Sequence, residues 1–142
     1  MLKMLIAVDG SEHAQHAIAA VAELQRNGCV LEAALLHVRD LPIIYGEVPV
    51  MNYEVIEAAQ KAQQDEVLKA AEREASTVGL KLLPTRRAVG FASDEILREA
   101  QAFGADQIVM GTRGLGAVRS LVIGSVAQRV VHGASVPVLL VR

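Results

Sequence analysis

The densest chemistry in the chain is the run Met110-Gly111-Thr112-Arg113-Gly114-Leu115-Gly116, followed after a short stretch by Gly124-Ser125-Val126. Glycines let a backbone turn tightly and let an anion approach main-chain N–H groups with no Cβ in the way. A helix opening at Gly124-Ser125 would add unpaired N–H donors and the positive end of its dipole. Ser125 can contribute a hydroxyl, and Arg113 or Arg119 a charge-assisted bond to phosphate. Taken alone, Gly111 and Gly114 would serve equally to shape a turn, and Gly124-Ser125 to cap a helix. Their conjunction in one loop, with a serine at the start of the helix, favours a phosphate cradle. It is not a Walker A loop, since Ala117 rather than Lys follows Gly116. The dinucleotide turn is excluded as well, because Asp9-Gly10-Ser11-Glu12 lacks the G-x-G-x-x-G spacing.

The remaining chemical candidates are sparser. Asp9 is the only acid close behind the first apolar run; it can accept from a ribose hydroxyl or an adenine amino group, or it can cap the helix that follows. His13 and His16 stand three apart on that helix, half of a metal site at most, and without a third ligand they read as solvent-exposed. His37 and His132 read as structural. His13-Ala14-Gln15-His16 resembles only weakly the H-x-G-H of nucleotidylyltransferases, since Gln15 replaces the glycine. No serine, histidine and acid triad and no pair of carboxylates can be assembled. A protein that cradles a phosphate group without a general base or an arginine-rich transfer site suits a sensor or switch better than a fast phosphotransferase, with slow hydrolysis or autophosphorylation as the most chemistry it would support.

These residues need elements to hold them. Short apolar runs alternate with segments of helical period, the pattern of a parallel α/β sheet with helices on both faces. Strands are expected at Lys3 to Val8, Val30 to Val38, Leu80 to Ala88, Asp106 to Gly111 and Val136 to Val141. Helices are expected behind Ser11 up to Asn27-Gly28, from Asn52 to Val78, from Ser93 to Phe103 with Ser93 or Asp94 as its cap, and from between Ser120 and Ser125 to Gly133. In the second, Ile56, Ala59, Val67, Leu68, Ala71, Ala75 and Val78 form the apolar side. The common order for such a chain is 3-2-1-4-5, which puts the first and fourth strands side by side with their connections leaving in opposite directions. Ligands of open α/β sheets bind at that switch point, and the residues there are Asp9-Gly10-Ser11 and Gly111-Thr112-Arg113-Gly114. Segment 39–51 is too apolar for a solvated loop; it reads as a flap over the sheet edge or as a lid or partner surface.

Composition narrows the function classes. The 142 residues suit one domain, and 14 basic against 16 acidic residues leave a formal charge of −2, so no overall field draws the protein onto nucleic acid or an acidic membrane. Aromatics make up 3% and are scattered, which argues against a base-stacking platform. The single Cys29 closes no internal disulfide and suits a reducing compartment. No stretch is long and apolar enough to span a bilayer, and the opening Met1 to Val8 stops too early for a signal peptide. The expectation is a soluble, cytoplasmic protein.

Gly111-x2-Gly114-x9-Gly124-Ser125 resembles the G-x2-G-x9-G-(S/T) signature of ATP-binding universal stress proteins. Val8-Asp9-Gly10-Ser11 is similar to that family's opening, and Ser135-Val136-Pro137-Val138-Leu139-Leu140-Val141 to its final strand, so the likeness runs end to end as one domain, 1–142. The resemblance implies the family's fold, the same five-stranded 3-2-1-4-5 sheet, Rossmann-like and of the adenine nucleotide alpha hydrolase-like type, with ATP at the crevice between strands one and four. By position, Asp9 and the main chain near Ala7 would face the adenosine, Val38 the adenine, and Met110 and Gly111 the ribose side. Gly114, Gly124, Ser125 and Val126 would bind the phosphates, with a divalent ion, Mg or Mn, bridging them. Many members carry G-x-P after the third strand, whereas this chain has Gly90-Phe91-Ala92, a departure in local loop shape. The apolar last strand, with Pro137 marking an edge, needs covering; a second copy paired along 136–141 would do so, as in the family's dimers, or else a helix or the 39–51 flap. Two other functions stay open: a nucleotide-independent stress adaptor whose glycines serve only turns, and a nucleotidylyltransferase-type enzyme.

Overall fold

The computed structural model describes residues 1–41, 50–113 and 123–142, apart from the side chains of residues 50–52. Its elements are β1 (Leu2–Ala7), α1 (Glu12–Arg26), β2 (Leu31–Arg39), α2 (Val50–Thr77), β3 (Arg86–Val89), α3 (Ala92–Phe103), β4 (Gln107–Gly111), α4 (Ser125–Gly133) and β5 (Val138–Val141). The strands form one parallel sheet in the order β3-β2-β1-β4-β5, the order expected.

Alternation along the strands builds two apolar layers. Met4, Ile6, Val8, Leu35 and Val109 face α1 and α2, where Ala17, Ile18, Val21, Leu68 and Ala75 meet them. Leu5, Leu36, Ala88, Ile108 and Met110 face α3 and α4, where Ile96, Ala100, Ala127 and Val130 close the second layer. Ser11 starts α1 as the sequence suggests: its Oγ accepts the Ala14 N–H at 3.3 Å, and the helix stops at Asn27 before Gly28, whose φ of +97° favours glycine.

Several boundaries differ from expectation, each for a local reason. The third strand does not run from Leu80: Leu82 makes a lone bridge to Ala33, Pro84 offers no donor, and pairing proper begins at Arg86. Neither Ser93 nor Asp94 caps α3. The helix begins one residue earlier, Phe91 holds the N-cap position without a side-chain bond, and Ser93 lies buried inside the first turn. The apolar side of α2 holds only for its second half, where Leu68, Ala71 and Ala75 are buried; Ile56 and Ala59 are exposed. Most of the 39–51 segment lies outside the described residues. No helix among the described residues is long and apolar enough to cross a membrane.

The β1–β2 ladder continues to Ala7↔Leu36, whereas β1–β4 pairing ends at Ile6↔Val109. Beyond that pair the two middle strands part, and the space between their carboxyl ends is open.

Candidate functional site

A cavity of about 450 Å³ occupies that opening, within the range of small-molecule sites. Ala7, Asp9, Val38, Met110, Gly111, Arg113, Gly124, Ser125 and Val126 all line it. Gly114 lies outside the described residues, so every predicted site residue that can be placed borders one space. The remaining lining comes from Val8, Ser11 and Thr112, which the switch point and the opening run had already brought forward, from Ala92, and from Ala14, Leu36, Ile96 and Ala127, which the sequence did not single out. Ala92 was within reach of sequence reasoning, because it stands where G-x-P would place a proline.

The wall divides by chemistry. Leu36, Val38, Ile96 and Met110 give an apolar side between the sheet and α3, suited to a flat, weakly polar group. Asp9 sits at the end of β1, and its Oδ1 accepts the Ser11 N–H at 2.9 Å. It therefore turns the chain ahead of α1 while Ser11 does the capping, and the carboxylate borders the cavity at the same time.

The polar side is the start of α4. Gly124 occupies the N-cap position, no side chain caps the helix, and no acid stands in its first turn. The first N–H groups of a helix have no partner within it, so those of Ser125, Val126 and Ala127 form the donor set at this wall. Gly124 itself contributes differently from the expectation. Its N–H is donated to the Thr112 carbonyl at 2.7 Å, so it offers an absent side chain rather than a donor. A Cβ there would lie 3.4 Å from Thr112 O and 3.6 Å from Arg113 Cα, in ordinary contact with the rim.

Gly111 also departs from the simple cradle picture. A Cβ on it would fall 2.6 Å from His13 Cβ and 3.0 Å from the His13 carbonyl carbon, closer than real atoms pack. This glycine is needed because α1 presses its first turn against the end of β4. The same contact corrects the reading of His13 as solvent-exposed: it is half-buried, and its Nδ1 is buried without a hydrogen-bond partner. His16 is exposed, with Nδ1 2.7 Å from the Arg142 carbonyl. Among the described residues no group of three or more His, Cys, Asp or Glu is placed to hold a metal ion.

Beneath α2, Gln64 is buried and donates its Nε2 to the carbonyls of both His37 and Ala88 at 3.1 Å. It braces the ends of β2 and β3 on either side of Val38, and nothing in the spacing of α2 announced it. Burial holds His37 below its ordinary pKa, against the opposing pull of Asp9 and Asp40.

With this geometry in hand, likeness to other proteins becomes informative. A family model described as the universal stress protein family matches residues 1–142. A universal stress protein of Thermus aquaticus, named for its place in the QAH/OAS sulfhydrylase 3' region, is 40% identical over 143 residues, covering 98% of this chain and 97% of its own. The solved universal stress protein UspA from Lactobacillus plantarum shares the fold with a TM-score of 0.83 at 22% identity, covering 99% of this chain and 97% of that one. The universal stress protein from Archaeoglobus fulgidus in complex with dAMP gives a TM-score of 0.64 at 25% identity, covering 100% of this chain and 98% of that one.

Proposed function

The chain belongs to the universal stress protein family, and from that premise we propose that it binds ATP in the cavity between β1 and β4 and acts as a nucleotide-dependent sensor or switch. The observation that carries the reading is the convergence of the predicted site residues on one space with an apolar side and an uncapped helix start. Adenosine suits the side made by Leu36, Val38, Ile96 and Met110, with Asp9 at its edge to accept from a hydroxyl or amino group. Phosphates suit the N–H groups at the start of α4, the Ser125 hydroxyl and Arg113. The relative solved with dAMP supports an adenine nucleotide as the class.

A divalent ion, Mg or Mn, enters this reading through the phosphates, where it would neutralise charge. The protein works as a single cytoplasmic domain, paired with a second copy along 136–141. Val138, Leu139, Leu140 and Val141 are each only partly buried on that edge, which supports the pairing. The nucleotide-independent adaptor draws support from Gly111, whose glycine is explained by packing, and from the Gly124 N–H, which is already given to Thr112.

Calorimetric titration of the purified protein with ATP and Mg tests the proposal, together with extraction of any co-purified adenine nucleotide. Saturable binding at one site per chain is expected. Absence of both heat and bound nucleotide would leave the adaptor.

A further inference from the structure

Phe91 and Arg129 meet beside the cavity, where α3 and α4 pack together. Phe91 holds the N-cap position of α3 and is 58% exposed. The Arg129 guanidinium lies 5.1 Å from the centre of that ring, a cation–π distance. Arg129 follows Ser125 by one turn of α4, so the two share a side of the helix, and helical side chains lean toward the N-terminus. Arg129 does not itself line the cavity; it stands one turn behind Ser125 and Val126, which do.

Arg39, Arg86, Arg87 and Arg98 each pair with a carboxylate. Among the described residues Arg129 shares the lack of a carboxylate partner with Arg26, Arg73 and Arg142, and differs from them in its ring contact beside the cavity. Its helix, α4, has no acid in the first turn to compete for it. An exposed ring keeps the guanidinium near one position, which lowers the ordering entropy that a new contact would cost.

Resting on the nucleotide reading above, we infer that Arg129, held ready by Phe91, receives the outermost phosphate of a nucleoside di- or triphosphate and so sets a preference for ATP over AMP. The main-chain donors of α4 serve whichever phosphate reaches them, and mono- and triphosphates share that contact. A cation beyond them, additional to Arg113 and the divalent ion, distinguishes the two by charge. The planar fork of guanidinium matches phosphate oxygens, and a phosphate contact replaces a weaker one to the ring.

The test is calorimetric titration with ATP, ADP and AMP of the wild type and of Arg129→Gln, Arg129→Lys and Phe91→Leu. Arg129→Gln is expected to weaken ATP about fivefold and AMP less than about twofold, the scale of one solvent-accessible charge contact. Arg129→Lys should recover part of the loss, Phe91→Leu should show a smaller loss for ATP alone, and added salt should narrow the gap between wild type and Arg129→Gln. Equal weakening of ATP and AMP, or unchanged ATP affinity in Arg129→Gln, overturns the inference while leaving nucleotide binding intact. A wild type that binds none of the three overturns the nucleotide reading and this inference with it.

Discussion

At the carboxyl end of the sheet, one face is filled and the other is open. On the α1/α2 face, Gly111 meets His13 so closely that a single methyl group has no room. On the α3/α4 face, Gly124 borders a cavity, and a Cβ there would touch only the rim. Two glycines of one motif thus lack side chains for opposite reasons: one admits a helix, the other leaves space. A glycine-rich pattern therefore reports a need for room, and only the fold says whether protein or ligand takes it.

The contrast yields three expectations. The largest concerns the filled face: Gly111→Ala should destabilise the fold by about 2–3 kcal/mol, the scale of overpacking in a tight core. Urea denaturation measures it, and an unchanged midpoint would mean that α1 yields at no cost. On the open face, Gly124→Val should leave stability within about 1 kcal/mol while weakening ATP at least tenfold, or about 1.4 kcal/mol. If instead the fold weakens and the affinity holds, the two glycines do not differ in the way described.

The smallest effect comes from His37, on the filled face. Burial lowers its pKa in the folded chain from the ordinary 6.5, so below that value the unfolded state binds more protons than the folded one. Its contribution to stability is then complete above about pH 6.5 and is lost as pH falls through the interval beneath. His37→Gln should flatten the fall in urea midpoint between about pH 7 and about pH 5. Identical slopes in the two proteins would show that His37 is not protonated differently in the two states.

How far the sequence could be read depended on the range of the interactions involved. β1, β2 and α1 were legible because apolar runs, helical period and a serine cap are local signals, and the sheet order followed from connection rules. The cavity's position followed in turn, since the parting of β1 and β4 is a property of that order. Long-range contacts were not legible. His13 looked exposed on its own helix, yet it packs against the end of β4 at Gly111. Gln64 looked like one more polar residue of α2 until the carbonyls of His37 and Ala88 stood opposite it. Ser93 and Asp94 resembled caps because the type of residue was right, while the turn of α3 that begins at Ala92 put them inside. Nor did the glycine spacing reveal that the Gly124 N–H already belongs to Thr112.

That last bond has a companion. Thr112 takes the Gly124 N–H on its carbonyl at 2.7 Å and gives its own N–H to Val141 at 2.8 Å. The edge strand β5 and the N-cap of α4 are thus coupled in series through one threonine backbone. The sheet's margin and the helix start are thereby only two backbone links apart.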